Sequence, residues 1–348
     1  MKKNFKAATT VLLSTLMIAA SFAGCGAPKS PESSSAPAET ASAGAVTEKP
    51  SSTIRVAQVL EGPISDMNWN TTAYNGLKKI EALGAEISYQ ENVPSAAVAD
   101  SVRTYASEGY NVIYMTTNTY QDAGLEVSKD FPDIQFLICN GSQTTENFHA
   151  FQIADEEQGF MMGVISALLT KTNKVGFVGG SEIAPIIKGG KGFAQGVAYV
   201  NKDLGKNVEV VSAMTGNFED VNKAKETATA MIEAGVDVLA PMANQASSGV
   251  MQAAEEAKIM AVASGAGQET IAPNAEKVAV FKDTSIAYEA TYQMFLAGKL
   301  PNEVIKMGAK DGVVHLSDWF GEVPEDVKTK AVEIMTKLGA GEITIDLT

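Results

Sequence analysis

The stretch IRVAQVLEGPISDMNWNTTAYNGL, residues 54–77, decides the fold. Its first seven residues are mostly apolar and read as a buried parallel strand. Further on, Ala73, Tyr74, Leu77 and Ile80 recur at helical spacing, so a helix is expected over 71–83. Between the two lies a loop of Gly, Pro, Ser, Asp and Asn, the usual chemistry of a turn. A strand, a polar loop and an amphipathic helix open a βαβ unit. In an open α/β sheet such a loop stands at the carboxyl end of its strand, where ligands bind. This one carries Asp66, Asn68, Trp69 and Asn70. A flat ring flanked by hydrogen-bonding groups suits a planar heterocycle, which it can stack on while the polar groups fix orientation. The same residues also suit a helix cap beside a core tryptophan.

The alternation continues outward. Strands are expected at 86–90, 112–115, 134–139 and 150–153, with helices at 96–108 and 122–130 between them. A second series follows, with helices at 156–169, 187–200, 221–234, 247–257, 285–296 and 325–337. Its strands are expected at 174–179, 208–213, 236–241, 259–263, 277–281, 312–316 and 342–347. Short connections between alternating elements imply parallel sheets. Two α/β halves of similar composition imply a cleft between lobes, a favoured place for small-ligand sites.

The first fifty or so of the 348 residues read differently. Lys2, Lys3 and Lys6 precede an apolar run over 7–22 that ends in Ala23-Gly24-Cys25. A basic start, a short apolar run and small residues at the break describe a secretory signal peptide over 1–24. The run is too short for a permanent membrane span. Small residues directly before Cys25 resemble a lipobox, in which Cys25 becomes the lipidated first residue; ordinary cleavage beside an incidental cysteine is the alternative. Residues 26–52 are dominated by Ala, Pro, Ser, Thr and Glu and read as a flexible tether. The chain carries 27 basic and 41 acidic residues, a net charge of −14, which argues against a nucleic-acid partner. With Cys25 acylated, Cys139 has no partner and reads as a small apolar residue in a strand.

Catalytic apparatus is missing. His149 and His315, the two histidines, belong to no metal-ligand spacing, and no CxxC or GxSxG occurs. The glycines of GFVGG (176–180), GGKGF (189–193) and SGAGQ (264–268) read as tight strand-to-helix turns and not as phosphate loops. Asp155-Glu156-Glu157 suits the start of a helix, where the dipole favours negative charge. No catalytic residue, metal or cofactor is expected, and Phe160, Met161 and Met162 read as core.

The residues expected at the strand ends share one character. They include Asp66, Trp69 and Asn70, then Asn118, Tyr120, Asn140 and Asp155, and in the second half Phe218, Asp220, Asn244, Gln245, Gln268 and Lys282. Aromatics and amides without a nucleophile suit a site that binds and releases. With SDMNWNTTAYNGL, FPDIQFLICNG, ADEEQGFMMGVISALLTK, KVGFVGG followed by GFAQGVAYVN, and TGNFEDVNKAKETA in that order, the chain resembles the basic membrane protein family. These are substrate-binding lipoproteins, and the likeness is to the purine nucleoside receptors of ABC importers.

The resemblance implies a type I periplasmic-binding fold, two doubly wound parallel-sheet lobes joined by three hinge crossings. Lobe 1 would be 53–154 plus 283–315, and lobe 2 would be 155–282 plus 316–348. It implies that Trp69 and Phe218 sandwich a base, and that Asp66, Asn70, Asp155 and Lys282 stand where base or ribose is hydrogen-bonded. In the family an Asp-x-Asp-Gln block grips ribose; SGAGQ keeps Gln268 but places Gly265 and Gly267 at the acidic positions, so a free base competes with a nucleoside as ligand. Asn244 and Gln245 replace a glycine-rich stretch and add amides. The partners implied are a small planar molecule, an ABC permease and, through the lipid on Cys25, the extracytoplasmic face of a membrane. A ligand sensor of the same fold is the rival reading, and a nucleoside hydrolase a third.

Overall fold

The computed structural model describes residues 53–348; the signal peptide, Cys25 and the tether expected from the sequence lie outside them. The first series runs β1 (Arg55–Val59), α1 (Trp69–Ala82), β2 (Glu86–Gln90), α2 (Val98–Ser107), β3 (Val112–Met115), α3 (Gln121–Ser128), β4 (Gln135–Cys139) and β5 (Phe148–Ile153). The second runs α4 (Asp155–Leu169), β6 (Lys174–Gly179), α5 (Ala184–Leu204), β7 (Glu209–Met214), α6 (Val221–Glu233), β8 (Val238–Met242), α7 (Ser247–Ala257), β9 (Met260–Ala263) and β10 (Glu276–Lys282). The chain closes with α8 (Thr284–Leu296), β11 (Ile305–Met307), β12 (Val314–Leu316) and α9 (Glu325–Gly339).

Two six-stranded sheets result, ordered β11-β5-β4-β3-β1-β2 and β12-β10-β9-β8-β6-β7. All recorded pairings are parallel except β12 against β10. The central strands are buried on both faces: every residue of β3 and β8 is buried, which is why they read as apolar runs. Each sheet reverses its strand order between its first and third strands, β1/β3 and β6/β8. Ligands in doubly wound sheets bind outside the carboxyl ends at such a reversal.

The chain passes between the sheets at Ala154, at Asp283 and between β11 and β12. The first two crossings are each bonded to the third: Ala154 N–H donates to Met307 O (2.9 Å) and Asp283 N–H to Val313 O (2.8 Å). Because Val314, His315 and Leu316 pair with β10, the third crossing is complete before Val314, earlier than the break after residue 315 read from the sequence.

Two further readings need correction. The GGKGF glycines are not a turn but lie inside α5, where they let helices touch. A Cβ on Gly192 or Gly196 would run into the carbonyl of Glu156 or Phe160, and one on Gly159 or Gly163 into that of Gly189 or Phe193. Residues 342–347 form no strand. They are held along α5 by side chains: Gln195 Nε2 donates to Asp346 O (2.6 Å), and Lys191 Nζ to Leu347 O (2.7 Å). In exchange β11, three residues long with a lysine at its centre, pairs with β5 at the edge of the first sheet.

Candidate functional site

The loops at the carboxyl ends of the two sheets face each other and enclose a cleft. Its outer part is a cavity of about 320 Å³, within the size range of small-molecule sites. Glu61, Asp66 and Asn70 line it from one lobe, and Phe218, Glu219 and Asn244 from the other. Glu61, Phe218 and Asn244 also border an inner cavity of about 40 Å³, walled by Trp69, Thr117, Asn118, Asn140, Ile186 and Lys282. Trp69 and Phe218, from opposite lobes, thus share one chamber.

Trp69 opens α1 with its ring fixed. Nε1 donates to Thr116 O at 2.9 Å, and the residue is only 8% exposed. Phe218 sits in the loop after β7, shaped by Asn217, whose Oδ1 accepts from the N–H groups of Glu219 (3.0 Å) and Asp220 (2.7 Å). Space for the Phe218 ring exists because Gly180, at the end of β6, has no side chain; a Cβ there would fall on the ring. Gly180→Ala is therefore expected to displace Phe218 and cost about 1–3 kcal/mol, the usual penalty of overpacking. A urea midpoint equal to that of the wild type would contradict this.

Asp66 accepts from the backbone N–H groups of Asn68 (2.9 Å), Asn70 (2.9 Å) and Thr71 (3.0 Å), and from the Asn70 amide and the Thr71 hydroxyl. Asn70 Oδ1 in turn accepts from Gly62 N–H at 3.3 Å. Both residues border the outer cavity, but their polar atoms build the loop and cap α1.

At the hinge Asp155 and Lys282 form an ion pair with side chains 2% and 8% exposed. Asn140 Nδ2 adds a hydrogen bond to Asp155 at 3.3 Å. The Lys282 ammonium also lies 4.7 Å from the centre of the Trp69 ring, a cation–π contact.

Asn244 follows β8 in the left-handed region (φ +47°), at a position asparagine tolerates. Gln245 borders the outer cavity and Asn118 the inner one.

Other sequence candidates lie apart. Gln268 lines neither cavity; it is buried, and its Oε1 accepts from Ser264 N–H at 3.3 Å, stiffening the 264–268 loop. That loop meets the other lobe directly. Asn68 Nδ2 donates to Ser264 Oγ at 3.1 Å, and a Cβ on Gly265 would stand 2.5 Å from Met67 O. Tyr120 is fully buried with its hydroxyl donating to Val93 O, and Asp220 caps α6 by accepting from Lys223 N–H at 2.9 Å. His149 is buried against Pro301 O and Gln135 Oε1.

Glu61 was not among the sequence candidates, although it stands two residues after β1 at the sheet's carboxyl end, and it borders both cavities. Burial, reinforced by the nearby charges of Asp66 and Glu219, pushes its carboxyl up to about 7.

The arrangement offers aromatic walls, amides and carboxyls, and suits reversible binding. Residues 53–346 match the family described as ABC transporter substrate-binding protein, PnrA-like. A purine-binding protein of Brucella abortus is 28% identical over 294 residues, covering 83% of this chain and 82% of its own. The transcriptional activator protein Med of Bacillus subtilis is 24% identical over 283 residues, covering 81% and 87%. Among solved structures, an ABC transporter solute-binding protein from Aeropyrum pernix superposes with a TM-score of 0.75 at 21% identity, covering 85% of this chain and 94% of that one. The members of this family bind a solute and do not transform it, and with 294 residues matched end to end across both lobes the chain belongs to the PnrA-like substrate-binding proteins of ABC transporters.

Proposed function

We propose that the protein is the extracytoplasmic receptor of an ABC importer, anchored through a lipid on Cys25, and that it binds a purine ring between Trp69 and Phe218. The observation that carries this reading is the pair of aromatic residues, one from each lobe, on the wall of one chamber that also holds three asparagines, Glu61 and Lys282. A ligand touching both lobes makes its full set of contacts only when they close, so binding drives closure. The purine-binding relative from Brucella supports the ligand class. Because the 264–268 loop lines neither cavity and packs on Met67 and Asn68, a free base is the expected ligand ahead of its nucleoside.

Thermal-shift screening of residues 53–348, which hold both sheets, tests the reading. A ligand at a hundred times its Kd adds about 2.7 kcal/mol, worth about 4–5 °C in a domain of this size. Bases are expected to raise the melting temperature most; no shift with any purine, after removal of co-purified ligand, defeats the assignment. A ligand sensor of the same fold is the second reading, favoured by the Bacillus relative named as a transcriptional activator. In that case deleting the chain leaves purine uptake by the cells unchanged, whereas an importer's receptor takes uptake with it.

A further inference from the structure

The one acid that borders both cavities has no assigned task. We propose that Glu61 is the specificity-determining residue of the cleft: as a neutral carboxylic acid it donates one hydrogen bond to, and accepts one from, the polar edge of the bound heterocycle, so that ligand binding takes up a proton. This rests on the purine reading above.

The position comes first. Glu61 lies where the outer cavity meets the inner one, beside the chamber shared by Trp69 and Phe218. A planar ligand lying between those rings presents its edge, not its face, to the surrounding wall. Three nearby polar side chains are already engaged, while Asn118, Asn244 and Gln245 add their amides to the wall. Asp66 is saturated by donors of its own loop, and Asn70 is tied to Gly62 and Asp66. Asp155 is held by Lys282 and Asn140.

The charges around Glu61 come next. Asp66 from its own loop and Glu219 from the opposite lobe both repel a second negative charge there. Thr117, after β3, borders the same inner cavity, with its hydroxyl 3.2 Å from that of Thr119. Tyr120 is also close, but its hydroxyl is spent on Val93 O, and Tyr288 lies behind in the core. The cation on the inner wall, Lys282, is claimed by Asp155 and faces Trp69. Among the described residues Glu61 forms no ion pair. A carboxyl in that setting holds its proton near neutrality, consistent with the raised value above. A protonated carboxyl presents a donor and an acceptor side by side, the complement of a ring nitrogen next to an amino or N–H group. A purely accepting carboxylate lacks that match.

The test is titration calorimetry of wild type, Glu61→Gln and Glu61→Ala with adenine and adenosine, whose rings keep one charge state across the range used. Wild-type affinity is expected to fall at least tenfold between about pH 6 and about pH 8.5, because one bound proton is lost over that interval. Glu61→Gln, uncharged at every pH and still carrying donor and acceptor, is expected to show one Kd at both pH values. Glu61→Ala is expected to bind at least tenfold more weakly than wild type at the lower pH. A flat wild-type profile, or Glu61→Gln retaining the wild-type slope, overturns the role of Glu61 while purine binding stands. If neither compound binds at either pH, this inference falls together with the reading beneath it.

Discussion

Replacing Lys282 by methionine is expected to cost about 3–5 kcal/mol, the penalty for leaving a buried carboxylate without its partner. Lys282 ends β10 and Asp155 opens α4, so their ion pair ties together two of the chain segments that cross between the lobes. Were the pair exposed, its removal would cost no more than about 1 kcal/mol; with side chains 8% and 2% exposed, burial decides the magnitude. The α4 dipole and the Asn140 hydrogen bond remain to Asp155 in the variant, but a neutral donor and a partial charge offset only part of the loss. The substitution also removes the cation from the face of Trp69. A melting temperature lower by on the order of 10 °C is expected. The double variant Lys282→Met, Asp155→Leu is expected to recover most of that, since apolar replacement of a whole buried pair is often neutral. A single variant that loses under about 1 kcal/mol would show that the pair is solvated in solution.

The α/β alternation was legible because buried parallel strands are short apolar runs separated by amphipathic helices. β6 and α7 fall where the spacing placed them, residue for residue. Legibility failed where an element has little apolar content or none of its own reasons to form. β11 is three residues with an exposed lysine, and exists because β5 offers it an edge. The 342–347 segment has the alternation of a strand, but α5 supplies its hydrogen bonds. Helical glycines were misread as turns because a sequence does not show that another helix needs their missing side chains.

At the site, residue type was readable and commitment was not. Trp69 and Phe218 border the same chamber. Asp66 and Asn70 also reach the cleft, yet their polar atoms are spent inside their own loop, which no spacing rule reveals. Gln268 has the right chemistry but turns inward to Ser264. Glu61 was visible as a carboxylate just after the first strand. Its interest depends on what surrounds it, chiefly Asp66 and Glu219, and those neighbours come from two lobes.

A second acid makes the stability of the whole domain depend on pH. Glu276 at the start of β10 is 1% exposed, and neither of its carboxylate oxygens finds a hydrogen-bond partner among the described residues. Burial, with a smaller contribution from Glu269, pushes its carboxyl up to about 8 from an ordinary 4.5. The folded chain therefore binds this proton more tightly than the unfolded chain. The resulting stabilisation is complete below the ordinary value and is lost as pH rises through the raised one. At 1.36 kcal/mol per unit the full span is worth roughly 4–5 kcal/mol. Glu276→Gln removes the charge and keeps the shape. Its unfolding free energy is expected to track the wild type near pH 5 and to exceed it by about 3–5 kcal/mol above pH 8. Urea melts of both proteins across that range give the comparison directly. Parallel curves would mean that Glu276 ionises as an exposed glutamate does, and that water reaches it at the start of β10. Diverging curves would mean that the start of β10 holds a carboxyl kept neutral by burial, so that alkaline conditions weaken the second sheet.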